Sequence, residues 1–94
     1  MDYEFEFDPD KSEANKAKHG IDFVEAQELW SDPHGVSVAV RSTTEIRHAA
    51  TAKLAGKYWT AIHTWRGDTV RLISVRRARE LEIENYENNY RKRI

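Results

Sequence analysis

The sequence lacks cysteine and is poor in the residues that build phosphate-binding loops. Without cysteine, its 94 residues form neither a disulfide nor a thiolate metal site. Four glycines give little support to a glycine-rich loop for a nucleotide cofactor, and no apolar run approaches the ~18 residues that span a bilayer. The acidic start, MDYEFEFDPD, is unlike a signal peptide, which begins with basic residues. We therefore expect one cytoplasmic domain over residues 1–94, with no membrane association.

The four histidines show no spacing typical of metal ligands. His34 lies in a predicted turn, whereas His48 and His63 lie in predicted strands, and no H-x₃-H or H-E-x-x-H pattern occurs. A G-x-S-x-G nucleophile motif is also missing. The sequence therefore predicts no metal site and no cofactor.

Charge is divided unevenly along the chain, although the formal net charge is only −1. Residues 1–50 carry five Lys and Arg against eleven Asp and Glu, a balance of −6. Residues 51–94 carry ten against five, a balance of +5. This division suggests one surface for an anionic ligand and another for a basic partner. The alternative is that the two halves neutralise each other in the fold.

The first third of the sequence predicts a strand and two helices. Aromatic and acidic residues alternate over 3–7, as in a half-buried strand. Asp8 is placed to cap a helix that begins at Pro9 and ends near His19, because Gly20 suits the position after a helix. A capping-box pattern at 22–25 then starts a second helix, with Phe23, Ala26 and Trp30 on one face, and SDPHG at 31–35 ends it.

The rest of the sequence predicts four strands and a last helix. The strands are expected at 36–40, 46–54, 57–65 and 69–75, with Ala55-Gly56 joining the middle pair. The helix is expected from about Ala78, with one apolar stripe formed by Ile83, Tyr86, Tyr90 and Ile94. The order β-α-α-β-β-β-β-α predicts an α+β fold in which helices pack on an antiparallel sheet.

Two groups of basic residues are candidates for contacts with an anion. The first lies on the helix over 11–20, where Lys11, Asn15, Lys18 and His19 share about a third of the circumference. The alternative for that helix is a solvated face with cations near its negative end. The second group is an arginine series over the last strand and the following corner, formed by Arg66, Arg71, Arg76, Arg77 and Arg79.

Arginine suits phosphate because its planar group donates two parallel hydrogen bonds and stays charged. The alternative is pairing of these arginines with Glu80 or Glu84, which is worth only ~0.2–0.5 kcal/mol per pair. Trp59 and Trp65 are expected on one face of their strand. Trp59 is expected in the core, while Trp65 is expected either there or exposed as a platform for a base.

Three blocks of the sequence resemble the BrnT family, the toxin half of bacterial type II toxin–antitoxin pairs. FEFDPDKSEANKAKHG matches an opening strand and a K-x-x-x-N-x-x-K-H-G helix, and IDFVEAQELWSDP resembles the next family segment. The segment TEIRHAATAKLAGKYWTAIHTWRGDTVRLISVRRARELEIENY follows the H-T-x-R-G and I-S-x-R-R-A blocks. The resemblance implies a RelE-like fold, endoribonuclease activity that blocks translation, and a BrnA-type antitoxin through which the complex contacts operator DNA.

This resemblance leads to a hypothesis for the reaction and its residues. We expect metal-independent RNA cleavage, in which the ribose 2′-OH attacks the adjacent phosphate. Arg76 and Arg77 would stabilise the transition state, while Lys18 or His19 would transfer a proton. The remaining predicted substrate contacts are Arg66, Arg71, Arg79, Lys11 and Trp65. Basic antitoxin residues would meet Glu4, Glu6, Asp8, Glu25 or Glu28.

The alternative function is a non-catalytic module that binds nucleic acid or the antitoxin and acts as a co-repressor. The sequence leaves open whether the helix over 11–20 meets the arginines over 71–79.

Overall fold

The computed structural model describes residues 3–41 and 43–93, without the side chain of Arg93. It confirms the α+β class and the predicted order of elements. The strands are β1 (Glu4–Glu6), β2 (Val36–Val40), β3 (Arg47–Leu54), β4 (Lys57–Arg66) and β5 (Thr69–Arg77). The helices are α1 (Pro9–His19), a 3₁₀ helix (Glu25–Ser31) and α2 (Glu80–Arg93). Ile94, the last residue of the predicted apolar stripe, lies outside the described residues.

The five strands form one mixed sheet in the order β1-β5-β4-β3-β2. The pairs among β2, β3, β4 and β5 are antiparallel, as expected for that part of the chain. β1 is different because it pairs parallel to β5, with Glu4 opposite Thr69 and Glu6 opposite Arg71. β1 therefore covers only the first part of β5 and leaves the rest of that strand at the sheet edge.

The predicted boundaries of α1 are confirmed by its two caps. The Asp8 carboxylate accepts a hydrogen bond from the backbone N–H of Asp10 at 2.9 Å, and Pro9 occupies the first turn. Gly20 follows the helix at φ 83°, and its N–H donates to the Lys16 carbonyl. A residue without a Cβ adopts this left-handed conformation at little cost.

The second predicted helix is present, but it is a seven-residue 3₁₀ helix. The reciprocal bonds predicted for Asp22 and Glu25 form, because Glu25 N–H donates to the Asp22 carboxylate at 2.7 Å and Asp22 N–H donates to the Glu25 carboxylate at 3.0 Å. They lie in the turn before the helix, whose N-cap residue is Val24. Phe23 and Ala26 are buried, and Trp30 is half-buried.

The hairpin between β3 and β4 turns at Ala55-Gly56, as predicted. Both residues have positive φ, 53° and 78°, which is the requirement of a type I′ turn. β5 continues to Arg77, two residues past the predicted end of that strand, and α2 begins at Glu80. The pair Arg76 and Arg77 thus belongs to a strand and not to the start of the helix.

The sheet has a front and a back face that carry different layers. The front face, with Trp59, Ala61 and Val75, packs against Phe23 and Leu29 in the hydrophobic core. The back face contacts α2 through side chains of β4 and β5, including Tyr58 and Thr60. Among the described residues, no helix is both long and apolar enough to cross a bilayer.

A β-bulge in β5 decides which side chains of that strand reach each face. Ile62 pairs with Ser74 and His63 pairs with Leu72, so Ile73 is an extra residue in the register. Strict alternation from Leu72 would place residue 75 on the back face. The bulge instead keeps Val75 in the front core and puts Arg77 on the same face.

Candidate nucleic-acid interface

Asn15 joins α1 to the open edge of β5. Its side-chain amide donates to the carbonyls of Val75 and Ile21, both at 2.8 Å, and its carbonyl oxygen accepts from Val75 N–H at 3.1 Å. Both backbone groups of Val75 are therefore paired with one side chain where β1 no longer covers the edge. Asn15 is only 7% exposed. The prediction that Asn15 belongs to an anion-contacting edge is therefore wrong.

This junction fixes α1 against β5 at Val75, two residues before Arg77. β1 ends opposite Arg71, and α1 reaches Val75 at Asn15, so the chain advances along β5 in the direction of Arg77. His19 follows Asn15 by one helical turn on the same face, a rise of about 6 Å. The helix over 11–20 and the arginine-bearing strand, whose proximity the sequence left open, are in direct contact.

Arg77 lies on the front face with an exposed side chain. Its guanidinium carbon is 5.4 Å from the centre of the Trp59 ring, and its Nε donates to the Tyr58 carbonyl at 3.2 Å. The ring and the carbonyl hold the group in one orientation, and cation–π contacts of this kind add ~0.5–1 kcal/mol at exposed sites. The terminal nitrogens make no hydrogen bond or ion pair within the described part of the chain. They are available to an anion.

Arg76 points to the back face and is already paired. Its two terminal nitrogens donate to the two carboxylate oxygens of Glu82, each at 2.8 Å, and its side chain is 20% exposed. Glu82 also accepts from the Thr60 hydroxyl. The hydrogen bonds from Arg76 lower the Glu82 pKa to about 2, and burial only partly opposes them. This pair fixes the start of α2 against the sheet.

Three predicted substrate contacts lie at the opposite end of β4 and β5. Arg71 donates to the Glu6 carboxylate at 2.7 Å, and Arg66 is 3.7 Å from the Glu45 carboxylate. Trp65 is 41% exposed on the front face. Trp65 lies six positions after Trp59 along β4, a distance of about 20 Å. The structure thus separates these residues from Arg77.

The other predicted site residues are exposed or half-buried around α1 and the β5–α2 connection. Lys11 and Lys18 are exposed on α1, and His19 is half-buried at its end. Arg79 is exposed, and its backbone N–H donates to Glu82 at 2.7 Å. Within residues 3–41 and 43–93, the side chains of Lys18 and His19 form no hydrogen bond with an arginine. Lys11, Lys18 and Arg79 are thus exposed basic side chains that an anion can reach.

A closed ring of aromatic side chains fills the far end of the front face. His63 is 2% exposed and packs edge-on against Trp30 at 5.1 Å and Trp65 at 6.1 Å. Tyr3 and Phe5 close the ring, with 6.2 Å from Tyr3 to Trp65 and 5.3 Å from Phe5 to Trp30. Burial lowers the His63 pKa, which favours the neutral imidazole. Among the described residues, no group of three or more His, Asp or Glu side chains is arranged to hold a metal ion.

Comparison with known protein families identifies the chain. The sequence profile described as "Ribonuclease toxin, BrnT, of type II toxin-antitoxin system" matches residues 7–82. The chain belongs to the BrnT family. The matched range includes α1, the whole sheet from β2 to β5, and the Arg76–Glu82 pair. No curated protein matches the sequence.

Membership of the BrnT family gives the chain a toxin role and implies an antitoxin protein as its partner. This confirms the family that the three sequence blocks resemble. The sequence did not predict the contacts of Asn15 with β5 or of Glu82 with Arg76. Asn15 was predicted at the surface, and no role was predicted for Glu82. Their signal in the sequence is weak: Glu82 lies six residues after Arg76, across a strand-to-helix turn that periodicity does not resolve.

Proposed function

We propose that this BrnT-family protein is an endoribonuclease that cleaves RNA by attack of a ribose 2′-OH on the adjacent phosphate. In that reaction the O2′–P bond forms and the P–O5′ bond breaks, which leaves a 2′,3′-cyclic phosphate and a 5′-hydroxyl. The observation that carries the proposal is the Arg77 guanidinium, which is oriented by Trp59 and Tyr58 while its terminal nitrogens face solvent. We further propose a cytoplasmic location and a BrnA-type antitoxin that alone contacts operator DNA.

Arg77 fits the role of a transition-state donor because charge increases on the phosphoryl oxygens during the attack. A fixed guanidinium stabilises that charge more than it stabilises the ground state. Its pre-existing orientation also reduces the entropy lost when the phosphate binds. Arg76 was expected to share this role. Its bidentate bond to Glu82 instead supports a positioning role, in which it holds the end of β5 and the adjacent Arg77 in place.

His19 and Lys18 are the proposed proton-transfer groups. Imidazole exchanges protons near neutral pH, whereas an arginine cannot, because its pKa is above 12. His19 lies at the end of the helix that Asn15 fastens to Val75. His19 or Lys18 would accept the proton of the 2′-OH or supply one to O5′. Such proton transfer is worth about 10²–10⁴-fold in rate.

The remaining predicted residues are proposed to bind RNA away from the scissile phosphate. Arg79 and Lys11 are both exposed. In the sequence, Lys11 precedes Asn15 on α1, and Arg79 follows the end of β5. Arg66, Arg71 and Trp65 lie at the far end of the sheet, about 20 Å away, so they would contact other nucleotides of the same strand. Arg71 is partly neutralised by Glu6, which makes it the weaker member of this set.

The test is incubation of the purified protein with RNA in EDTA, followed by analysis of the product ends. We expect cleavage, a 2′,3′-cyclic phosphate on the upstream product, and resistance when the nucleotide at the cleavage site is 2′-deoxy. Cleavage of the deoxy substrate, or cleavage only after a divalent cation is restored, would contradict the mechanism. Retention of RNA without cleavage would instead favour the binding module that acts as a co-repressor.

A further inference from the structure

Among the described residues, the edge strand β2 lacks the charges, proline and bulge that often protect the edge of a sheet. Its sequence, VSVAV over Val36–Val40, contains no charged residue and no proline. It pairs with β3 over all five residues in a regular antiparallel register. Soluble proteins usually block such an edge with lysine, proline, a bulge or a covering element, because its free backbone groups pair readily with another strand. The unprotected edge of β2 therefore suggests that a partner strand covers it.

In an antiparallel sheet, the backbone groups of successive residues point alternately to the two neighbouring strands. This alternation identifies the backbone groups that face outward from β2. Val75 uses both of its backbone groups away from β4, so its partner Ala61 directs its own groups toward β3. Ala61 is opposite Ala50, which in turn is opposite Ser37. Alternation along this register makes Ser37 and Ala39 the residues whose N–H and C=O point away from β3.

These outward groups have no protein partner within the described residues. Ser37 and Ala39 are exposed, and Val38 between them is 46% exposed. Two N–H donors and two C=O acceptors thus lie in one row along the strand, with the spacing that an added strand requires. This is the pattern that β-strand addition uses, in which the main chain supplies affinity and pockets supply specificity.

A cavity adjoins this edge on the front face. Its volume is about 680 Å³, and its walls include Ser37 of β2, Ala50 of β3 and the aromatic side chains of Trp30, Trp65 and Tyr3. Small residues form one side, and large rings form the other. The volume lies within the range of 300–1,000 Å³ typical of ligand pockets. Ser37 belongs both to the exposed edge and to the cavity wall, so a strand on β2 lies beside the cavity opening.

The charge of the cavity favours a protein segment over RNA. None of its lining residues is a lysine or an arginine, and the single charged one is Asp32. Phosphate neutralisation by Lys and Arg supplies most of the affinity for nucleic acid, and these walls offer none. The Asp32 carboxylate is occupied by hydrogen bonds from Lys53 N–H, His34 N–H and the Tyr86 hydroxyl. A neutral, apolar chain segment is the complementary occupant.

We propose that an extended, uncharged segment of the antitoxin pairs with β2 as a sixth strand and places an apolar side chain in the adjoining cavity. The proposal rests on the partner that family membership implies and not on the RNA-cleavage mechanism. A second copy of this chain fits the β2 edge less well as a partner. A strand of five residues is about 17 Å long, and its pairing alone buries far less than the ~800 Å² per partner of a stable dimer. An antitoxin chain can extend the contact beyond the strand.

The test replaces Ala39 with proline and measures binding of the purified antitoxin encoded beside this chain. Proline at residue 39 removes an outward N–H that the sheet itself does not use, and edge strands tolerate proline at such positions. Ala39→Thr is the matched control because it changes the side chain but keeps the N–H. Circular dichroism and thermal unfolding establish that both variants are folded. Titration calorimetry is expected to show about tenfold or more weaker binding for Ala39→Pro and little change for Ala39→Thr.

A second variant tests the cavity without altering the backbone of β2. Ala50→Leu adds a larger side chain to the cavity wall and is expected to weaken antitoxin binding as well. Unchanged antitoxin affinity in a folded Ala39→Pro variant would overturn the proposal. So would a wild-type dimer that Ala39→Pro dissociates, because the edge would then serve a second copy. Loss of RNA binding in this variant with antitoxin binding retained would also overturn it. RNA cleavage by either variant is measured separately, so failure of the proposed reaction leaves this test intact.

Discussion

Replacement of Asn15 by leucine is expected to lower the free energy of unfolding by about 3 kcal/mol. Asn15 makes three buried hydrogen bonds, two with Val75 and one with Ile21. Each is worth about 1 kcal/mol net. Leucine fills a similar volume, so the cavity term is small, but it leaves the edge of β5 unpaired next to a helix. The loss is large against the 5–15 kcal/mol that typically stabilises a domain.

The assay is urea unfolding followed by circular dichroism, with stability taken from the midpoint and the slope. Asn85→Leu is the matched control, because Asn85 is exposed on α2 and makes no hydrogen bond among the described contacts. The control is expected to stay within about 0.5 kcal/mol of wild type. If Asn15→Leu is no less stable than Asn85→Leu, the assignment of Asn15 as the link between α1 and β5 is refuted.

Two further predictions concern the back face and the end of α1. Glu82 has a pKa of about 2 in the folded chain against an ordinary 4.5, so the unfolded state binds more protons as pH falls between these values. Acid titration of stability should therefore show a loss of up to about 3 kcal/mol from pH 4.5 toward 2, and Glu82→Gln should remove that dependence while leaving Arg76 without its carboxylate. Gly20→Ala should cost about 1 kcal/mol in urea unfolding, because the residue lies at φ 83° with no atom within 4 Å of the added methyl. An acid profile of Glu82→Gln as steep as that of wild type, or a neutral Gly20→Ala change, would contradict these assignments.

Local sequence signals predicted most of the elements of the fold. The caps at Asp8 and Gly20, the capping box at 22–25 and the Ala55-Gly56 turn all depend on backbone conformation within a few residues. Such requirements can be read directly from the sequence. The parallel pairing of β1 with β5 could not, because it joins segments 65 residues apart.

The site was harder to predict because a single inserted residue controls its geometry. The apolar residues Val70, Leu72 and Val75 are spaced by two and then by three, and that irregular step is the sequence signal of the bulge at Ile73. A uniform period of two assigns the residues after Ile73 to the wrong faces of the sheet. Composition therefore identified the arginines, but only the register assigns Arg77 to the front face and Arg76 to its bond with Glu82.

Asn15 illustrates a second limit. Its spacing from Lys11 and Lys18 suggested a common exposed edge, since the three residues lie on neighbouring parts of the helix surface. The orientation of α1 against β5 buries one member of that set and leaves the lysines exposed. Helical periodicity identifies which residues share a face, whereas the docking of the helix determines where that face points.

RNA cleavage by an Arg77→Ala variant is the most direct test of the proposed site. Arg91→Ala is the control, because Arg91 is an exposed arginine on α2 whose side chain contacts Asn88 and lies outside the proposed site. In EDTA, we expect Arg77→Ala to cleave RNA about 10²-fold or more slowly than wild type, with Arg91→Ala unchanged. A folded Arg77→Ala protein that cleaves at the wild-type rate would contradict the account.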